Sequence, residues 1–208
     1  SQMVGKLPVD VKATGVDALS FSGHKFHGPK GIGGLFARSS LRLRPLIAGG
    51  PHERQRRGGT EAVAAIVGLG EAAKLARQFI ESDDHHHGEA LRDRLEQTIC
   101  RTVDQATVNA ADAPRLWNTS NIAFRGLEAE AILLLLSERD VCASAGAACS
   151  SGSLEPSPVL LAMGLDEPVA HGSVRFSLSR FTTEEEIDQA LAAVPQVIEK
   201  LRSTMPVG

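Results

Sequence analysis

Three features predict an α/β protein built in two parts. Two short apolar runs, residues 16–21 and 33–37, flank a glycine-spaced turn, which reads as strand, turn, strand. From residue 118 onward strand-like and helix-like segments alternate, as in a small α/β domain. Between these regions lies the polar run Asp83-Asp84-His85-His86-His87, which marks a domain boundary near residue 82 and divides the chain into 1–82 and 83–208. At 208 residues the chain is long enough to bury a core.

In chain order, residues 1–15 read as the end of a strand and a loop, since Pro8 rules out a long helix. Residues 16–21 predict a buried strand, and residues 39–59 a loop rich in Gly, Pro and Arg. Thr60 is placed to cap a helix over 61–79, in which Val63, Ile66, Val67, Leu69 and Leu75 recur at helical spacing. Leu91, Leu95 and Ile99 form the apolar stripe of an amphipathic helix over 89–103, with Cys100 expected to be a buried structural thiol. Residues 118–126 read as a strand, 128–138 as a helix and 141–143 as a short strand that would put Cys142 in the core. Pro156 suits the first turn of another helix. Residues 174–178 alternate like a strand, and Thr183 with Glu186 has the spacing of a capping box opening the last helix.

Composition narrows the function classes. A net charge of −3 argues against a nucleic-acid surface, and the short basic cluster Arg54, Arg56, Arg57 has no interleaved aromatics. No apolar run approaches the roughly 20 residues that cross a bilayer, and the first residues carry no apolar signal segment. Cys100, Cys142 and Cys149 are odd in number with no Cys-x-x-Cys pairing, which fits a reducing compartment, the cytoplasm. Three adjacent histidines point in different directions, so the run at 85–87 reads as a solvated stretch rather than a metal centre.

The chemistry concentrates in Ser22-Gly23-His24-Lys25-Phe26-His27-Gly28-Pro29-Lys30-Gly31. A lysine between a buried strand and a tight turn is held at a rigid edge. Burial can lower its pKa and expose the free amine that Schiff-base chemistry needs. Ser22, the backbone at Gly23 and His24 are donors suited to an anionic cofactor phosphate. The same residues also read as an ordinary strand-end lysine and an ordinary turn serine. Far downstream, Cys149 sits among Gly146, Ala147, Ala148, Ser150, Ser151 and Gly152, with nothing bulky around it, as in an exposed loop. An exposed cysteine carries a risk of oxidation, which hints that it is used.

The lysine segment and the stretch from Ser144 to Ser157 resemble the cofactor-lysine and active-cysteine motifs of the NifS/IscS-type cysteine desulfurases, in the class V aminotransferase group. The resemblance spans essentially the whole chain. It implies the aspartate-aminotransferase-like fold of pyridoxal-5′-phosphate (PLP) enzymes, with 1–82 the C-terminal part of the large cofactor domain and 83–208 the small domain. Chains of this family are about twice as long, so the sequence reads as a C-terminal half, with the family's ring-nitrogen aspartate upstream of Gln2.

By resemblance, Lys25 is the Schiff-base lysine and proton carrier. Gln2 bonds the cofactor's ring hydroxyl, and Ser22, Gly23 and His24 hold the cofactor. Thr60, in Arg57-Gly58-Gly59-Thr60, completes a phosphate site across a homodimer. Arg175 grips the substrate carboxylate, with Arg180 the competing candidate. Cys149 is the sulfur nucleophile and a candidate transient iron–sulfur ligand. The implied reaction converts L-cysteine to L-alanine and passes a persulfide to an iron–sulfur scaffold protein of the NifU or IscU kind. The rivals are a selenocysteine lyase of the same group and a non-catalytic half that serves as an assembly module.

Overall fold

The computed structural model describes residues 1–145 and 156–204. It divides into two compact units, Ser1–His85 and His86–Gly208.

In the first unit residues 1–15 form successive turns rather than a strand end. Strand β1 (Ala18–Ser22) pairs antiparallel with β2 (Gly33–Ala37), in register from Ala18↔Ala37 to Ser22↔Gly33. A 3₁₀ turn, η1 (Gly23–Phe26), joins them through a left-handed His27 at φ 67°. The strand is not buried as the apolar run predicted: Leu19 and Phe21 are half-covered while Ala18 and Ser20 are exposed. A two-stranded sheet can cover only one face of β1, and helix packing closes that face alone.

The loop at 39–59 holds a single tight turn, α1 (His52–Gln55), whose Glu53, Arg54 and Gln55 have positive φ. Helix α2 (Val63–Glu81) follows. Its buried residues are Ala72 and Ala76, which let it approach the ring of Phe26 closely. Val63 and Val67, in the stripe read as the core face, are each 66% exposed. The alanines at i, i+4 take the core side because the hairpin offers only a shallow surface.

The second unit is a four-stranded antiparallel sheet in the order β3-β4-β6-β5, built from Ala106–Val108, Thr119–Phe124, Ser173–Ser177 and Ser144–Ala145 respectively. Helices α3 (His85–Thr102), α4 (Ala129–Ser137) and α7 (Glu184–Thr204) supply the rest of its core. Leu91, Leu95 and Ile99 are buried as their spacing predicts, against Ile122 and Phe124 of β4 and Val174 and Phe176 of β6. The three histidines at 85–87 open α3.

The capping box forms: the Thr183 amide donates to Glu186 Oε2 at 3.0 Å, and the Glu186 amide donates to Thr183 Oγ1 at 3.3 Å. Two short helices, α5 (Pro158–Ala162) and α6 (Glu167–His171), stand between β5 and β6. Pro158, not Pro156, takes the first helical turn. The short strand falls at Ser144–Ala145 rather than 141–143, which leaves Cys142 exposed. Cys100 is exposed too, because it lies one residue past Ile99 and the helix turns it about 100° away from the core. Among the described residues no helix is long and apolar enough to cross a membrane.

Candidate active site

Lys25 lies on the turn that closes the first hairpin. Three residues per 3₁₀ turn bring Gly23 and Phe26 onto one side, and these two are the buried members of η1. His24 and Lys25 therefore project outward and are exposed. The expectation that burial activates Lys25 is corrected by this geometry: the turn presents its amine to solvent. No acidic residue occurs in the turn, which carries His24 and Lys25 as its basic groups. Gly23 is required by close packing. A Cβ there would stand 2.9 Å from Leu69 Cδ1 and 3.2 Å from the Ile32 carbonyl oxygen.

The first seven residues wrap against this hairpin. Ser1 Oγ donates to the Ser20 carbonyl at 3.3 Å, and Lys6 Nζ donates to the carbonyls of Gln2 (2.9 Å) and Lys25 (3.2 Å). Gln2, exposed, thus shares a fastening with the turn that carries Lys25. Partial burial, and then the Lys25 charge, hold the Lys6 ammonium below the ordinary lysine value. Lys6 went unnoticed in the sequence because a single lysine in a turn-rich segment has no periodic signature.

Thr60 does not cap a helix. The first helical residue is Val63, the cap position belongs to Ala62, and Ala62 makes no side-chain capping bond. Thr60 is exposed in a loop fastened by the Gly58 amide donating to the Ile47 carbonyl (2.7 Å) and by His52 Nδ1 against Glu61 Oε1 (2.7 Å).

In the second unit Arg175 stands on β6, paired with Asn121 of β4 and Ser144 of β5. Val174 and Phe176 turn into the core, so Arg175 takes the opposite face, where its Nε donates to Ser177 Oγ at 3.2 Å. It lines an open cavity of about 360 Å³ with polar Asn109, Thr119, Asn121 and Ser157 and apolar Leu116, Val159, Leu160 and Met163. Asn109 is buried and ties this floor together, with Nδ2 donating to Asn121 Oδ1 (2.5 Å) and Ser173 Oγ (2.9 Å). Arg115 also lines the cavity, but Glu96 holds its guanidinium with two bonds of 2.6 and 3.1 Å. The competing Arg180 does not line this cavity; its guanidinium carbon sits 4.8 Å from the Phe181 ring centre. Asn109, Asn121 and the Glu96–Arg115 pair had no motif to announce them. Cys149 lies outside the described residues.

The chain has the fold of the class V aminotransferases and of NifS-like proteins. The chain belongs to the class V aminotransferase family, whose model, "Aminotransferase class-V", matches residues 1–190. It is 51% identical over 205 residues to "Cysteine desulfurase 2" of Trichormus variabilis, covering 99% of this chain and 51% of that protein. It is 52% identical over the same length to "Cysteine desulfurase NifS" of Azotobacter vinelandii, again covering 99% and 51%. Among solved structures, a NifS-like protein from Rickettsia africae superposes with a TM-score of 0.85 at 31% identity, covering 95% of this chain and 52% of that one. The chain therefore spans about half the length of the curated relatives it matches.

Proposed function

We propose that this chain forms part of a PLP-dependent cysteine desulfurase, which converts L-cysteine to L-alanine and carries the sulfur away as a persulfide for iron–sulfur cluster assembly. The reading rests on one observation: Lys25 is presented on a turn flanked by Ser22 and His24, in a chain 51% identical over 99% of its length to a cysteine desulfurase. The donor set fits the cofactor. A phosphate ester needs hydrogen-bond donors with no carboxylate beside them; Ser22, which precedes η1, and His24, within it, offer such donors with no acid in the turn, and Lys25 is left for the tether.

When bound, PLP supplies an electron sink for the bonds at the amino acid's α-carbon. Lys25 tethers it through the side-chain amine and then takes up the α-proton as general base. Ser22, Gly23 and His24 bind the cofactor, Gln2 bonds its ring hydroxyl, and Thr60 reaches a phosphate across a homodimer. Arg175 binds the substrate carboxylate, a role suited to a planar guanidinium on a strand. Arg115, the other guanidinium of the cavity, is held by Glu96.

The Cys149 thiolate attacks the sulfur of L-cysteine. An S–S bond forms as the substrate's C–S bond breaks. The bonding pair stays with the carbon fragment, which gains a proton to become L-alanine, and the enzyme retains the outer sulfur as a persulfide. A scaffold protein of the NifU or IscU kind then receives that sulfur. An odd number of cysteines with no Cys-x-x-Cys pair supports a reducing compartment, the cytoplasm, for the reaction. The two-unit layout is read as the end of a large cofactor domain followed by a small domain.

The test is intact-mass spectrometry of the purified chain after incubation with PLP and reduction by borohydride. A PLP-sized increment on Lys25 supports the reading. A chain that stays unmodified assigns it instead to a non-catalytic assembly role. With L-cysteine as substrate and a thiol reductant present, loss of sulfide release in Cys149→Ala would count against a selenocysteine-lyase-like chemistry, and release that survives the substitution would favour it.

A further inference from the structure

We propose that Lys6 is a positioning residue: a single ammonium that clasps the Gln2 segment to the turn carrying Lys25 and so fixes the spacing between two cofactor contacts. This rests on the reading of Lys25 and Gln2 given above and adds a residue to it.

The geometry has three parts. Lys6 Nζ donates to the Gln2 carbonyl at 2.9 Å and to the Lys25 carbonyl at 3.2 Å, joining residues nineteen apart to a neighbour four residues away. The backbone under Lys6 is itself folded back, since the amides of Lys6 and Leu7 both donate to the Met3 carbonyl, at 3.1 and 3.2 Å. This hook is pressed onto the turn at Gly5, which has φ +79° and where a Cβ would fall 2.4 Å from Phe26 Cβ.

Phe26 is the buried anchor of η1, so the segment before Lys6 and the turn after β1 share one packing contact as well as one charge-assisted donor. A positive group beside Lys25 is costly unless something holds it there, and the two carbonyls do so: each offers a lone pair to the same ammonium. Lys6 is half-buried while both bonds lie in exposed surroundings, so the clasp depends on the two carbonyls together rather than on exclusion of water. Lysine suits the task because three donors on a compact head can reach carbonyls that diverge, whereas an apolar side chain of the same length could only pack.

The test compares Lys6→Met, which keeps length and loses the donors, with Lys6→Arg, which keeps charge and donors. Amide hydrogen exchange is measured on the full chain without cofactor. Exchange in segments 1–7 and 23–28 should rise together by roughly tenfold in Lys6→Met, while the second unit stays unchanged and Lys6→Arg remains near the parent. Unchanged exchange at 23–28 in Lys6→Met would overturn the proposal. So would equal loosening in both variants, which would mean that bulk packing and not the ammonium does the work. In parallel, borohydride-fixed PLP on Lys25 at limiting PLP should drop in Lys6→Met and recover in Lys6→Arg. If the parent itself takes up no PLP, the assignment of Lys25 fails while the exchange result still decides whether Lys6 is a clasp.

Discussion

Replacing Glu96 by Gln is the perturbation with the clearest expected magnitude. Glu96 holds Arg115 with two bonds of 2.6 and 3.1 Å, and the side chains are 9% and 18% exposed respectively. Removing one partner of a fully buried ion pair costs about 3–5 kcal/mol, because the other charge is left uncompensated. Arg115 keeps some access to water, so the cost here should fall to about 2–3 kcal/mol, well above the ~0–1 kcal/mol of an exposed pair.

Trp117, the single tryptophan of the chain, lies two residues from Arg115 and is buried, so urea unfolding followed by its fluorescence reads the second unit directly. The denaturation midpoint should fall with little change in slope. Asp188→Asn provides the comparison, since its pairing with Arg94 is exposed on both sides and its loss should cost under about 0.5 kcal/mol. The reasoning fails if Glu96→Gln and Asp188→Asn destabilise equally.

Other expectations follow from the same structure. Thr183→Ala removes one half of the capping box and should cost about 1 kcal/mol, read from the thermal midpoint of the second unit. Lys6 carries a pKa lowered by burial and by Lys25, so between that folded value and the ordinary 10.5 the unfolded chain binds more protons than the folded one. Stability should therefore rise with pH across that alkaline window, and Lys6→Met should flatten the rise in urea titrations. Partial desolvation by its neighbours, and secondarily Glu96, raise the pKa of the exposed Cys100, so iodoacetamide at pH 8 should alkylate it more slowly than a cysteine in a short peptide. Glu96→Gln should recover part of that rate; a Cys100 as fast as the peptide would contradict the assignment.

What the sequence disclosed was the pattern written in side-chain periodicity. Leu91, Leu95 and Ile99 fix α3 by spacing, and alternation marks Val174 and Phe176 of β6. Thr183 and Glu186 form a cap that two residue types at fixed separation suffice to specify. Thr60 misled because a threonine before a helix caps it only when the backbone turns there, and the turn comes two residues later. Pro156 misled in the same way, since Pro158 is equally suited to a first turn. The apolar neighbours of Cys100 and Cys142 point both to the core, yet each lies just off a buried face. The three-residue strand β3 is too short for alternation to register. The lysine turn was legible as a motif, but the exposure of Lys25 and the clasp through Lys6 depend on which face of a 3₁₀ turn packs inward.

The two units are unequally self-supporting. Among the described residues, twenty-one buried apolar residues form the core cluster of the second, while that of the first consists of Phe26, Ala72 and Ala76. A protein region with so little internal cohesion takes its melting behaviour from mass action: any molecule that binds its folded form raises its stability by RT ln(1 + [L]/Kd), about 2.7 kcal/mol at one hundred times Kd. The half that carries Lys25 should thus act as its own occupancy gauge, its heat resistance climbing with cofactor concentration while the second unit melts at a fixed temperature.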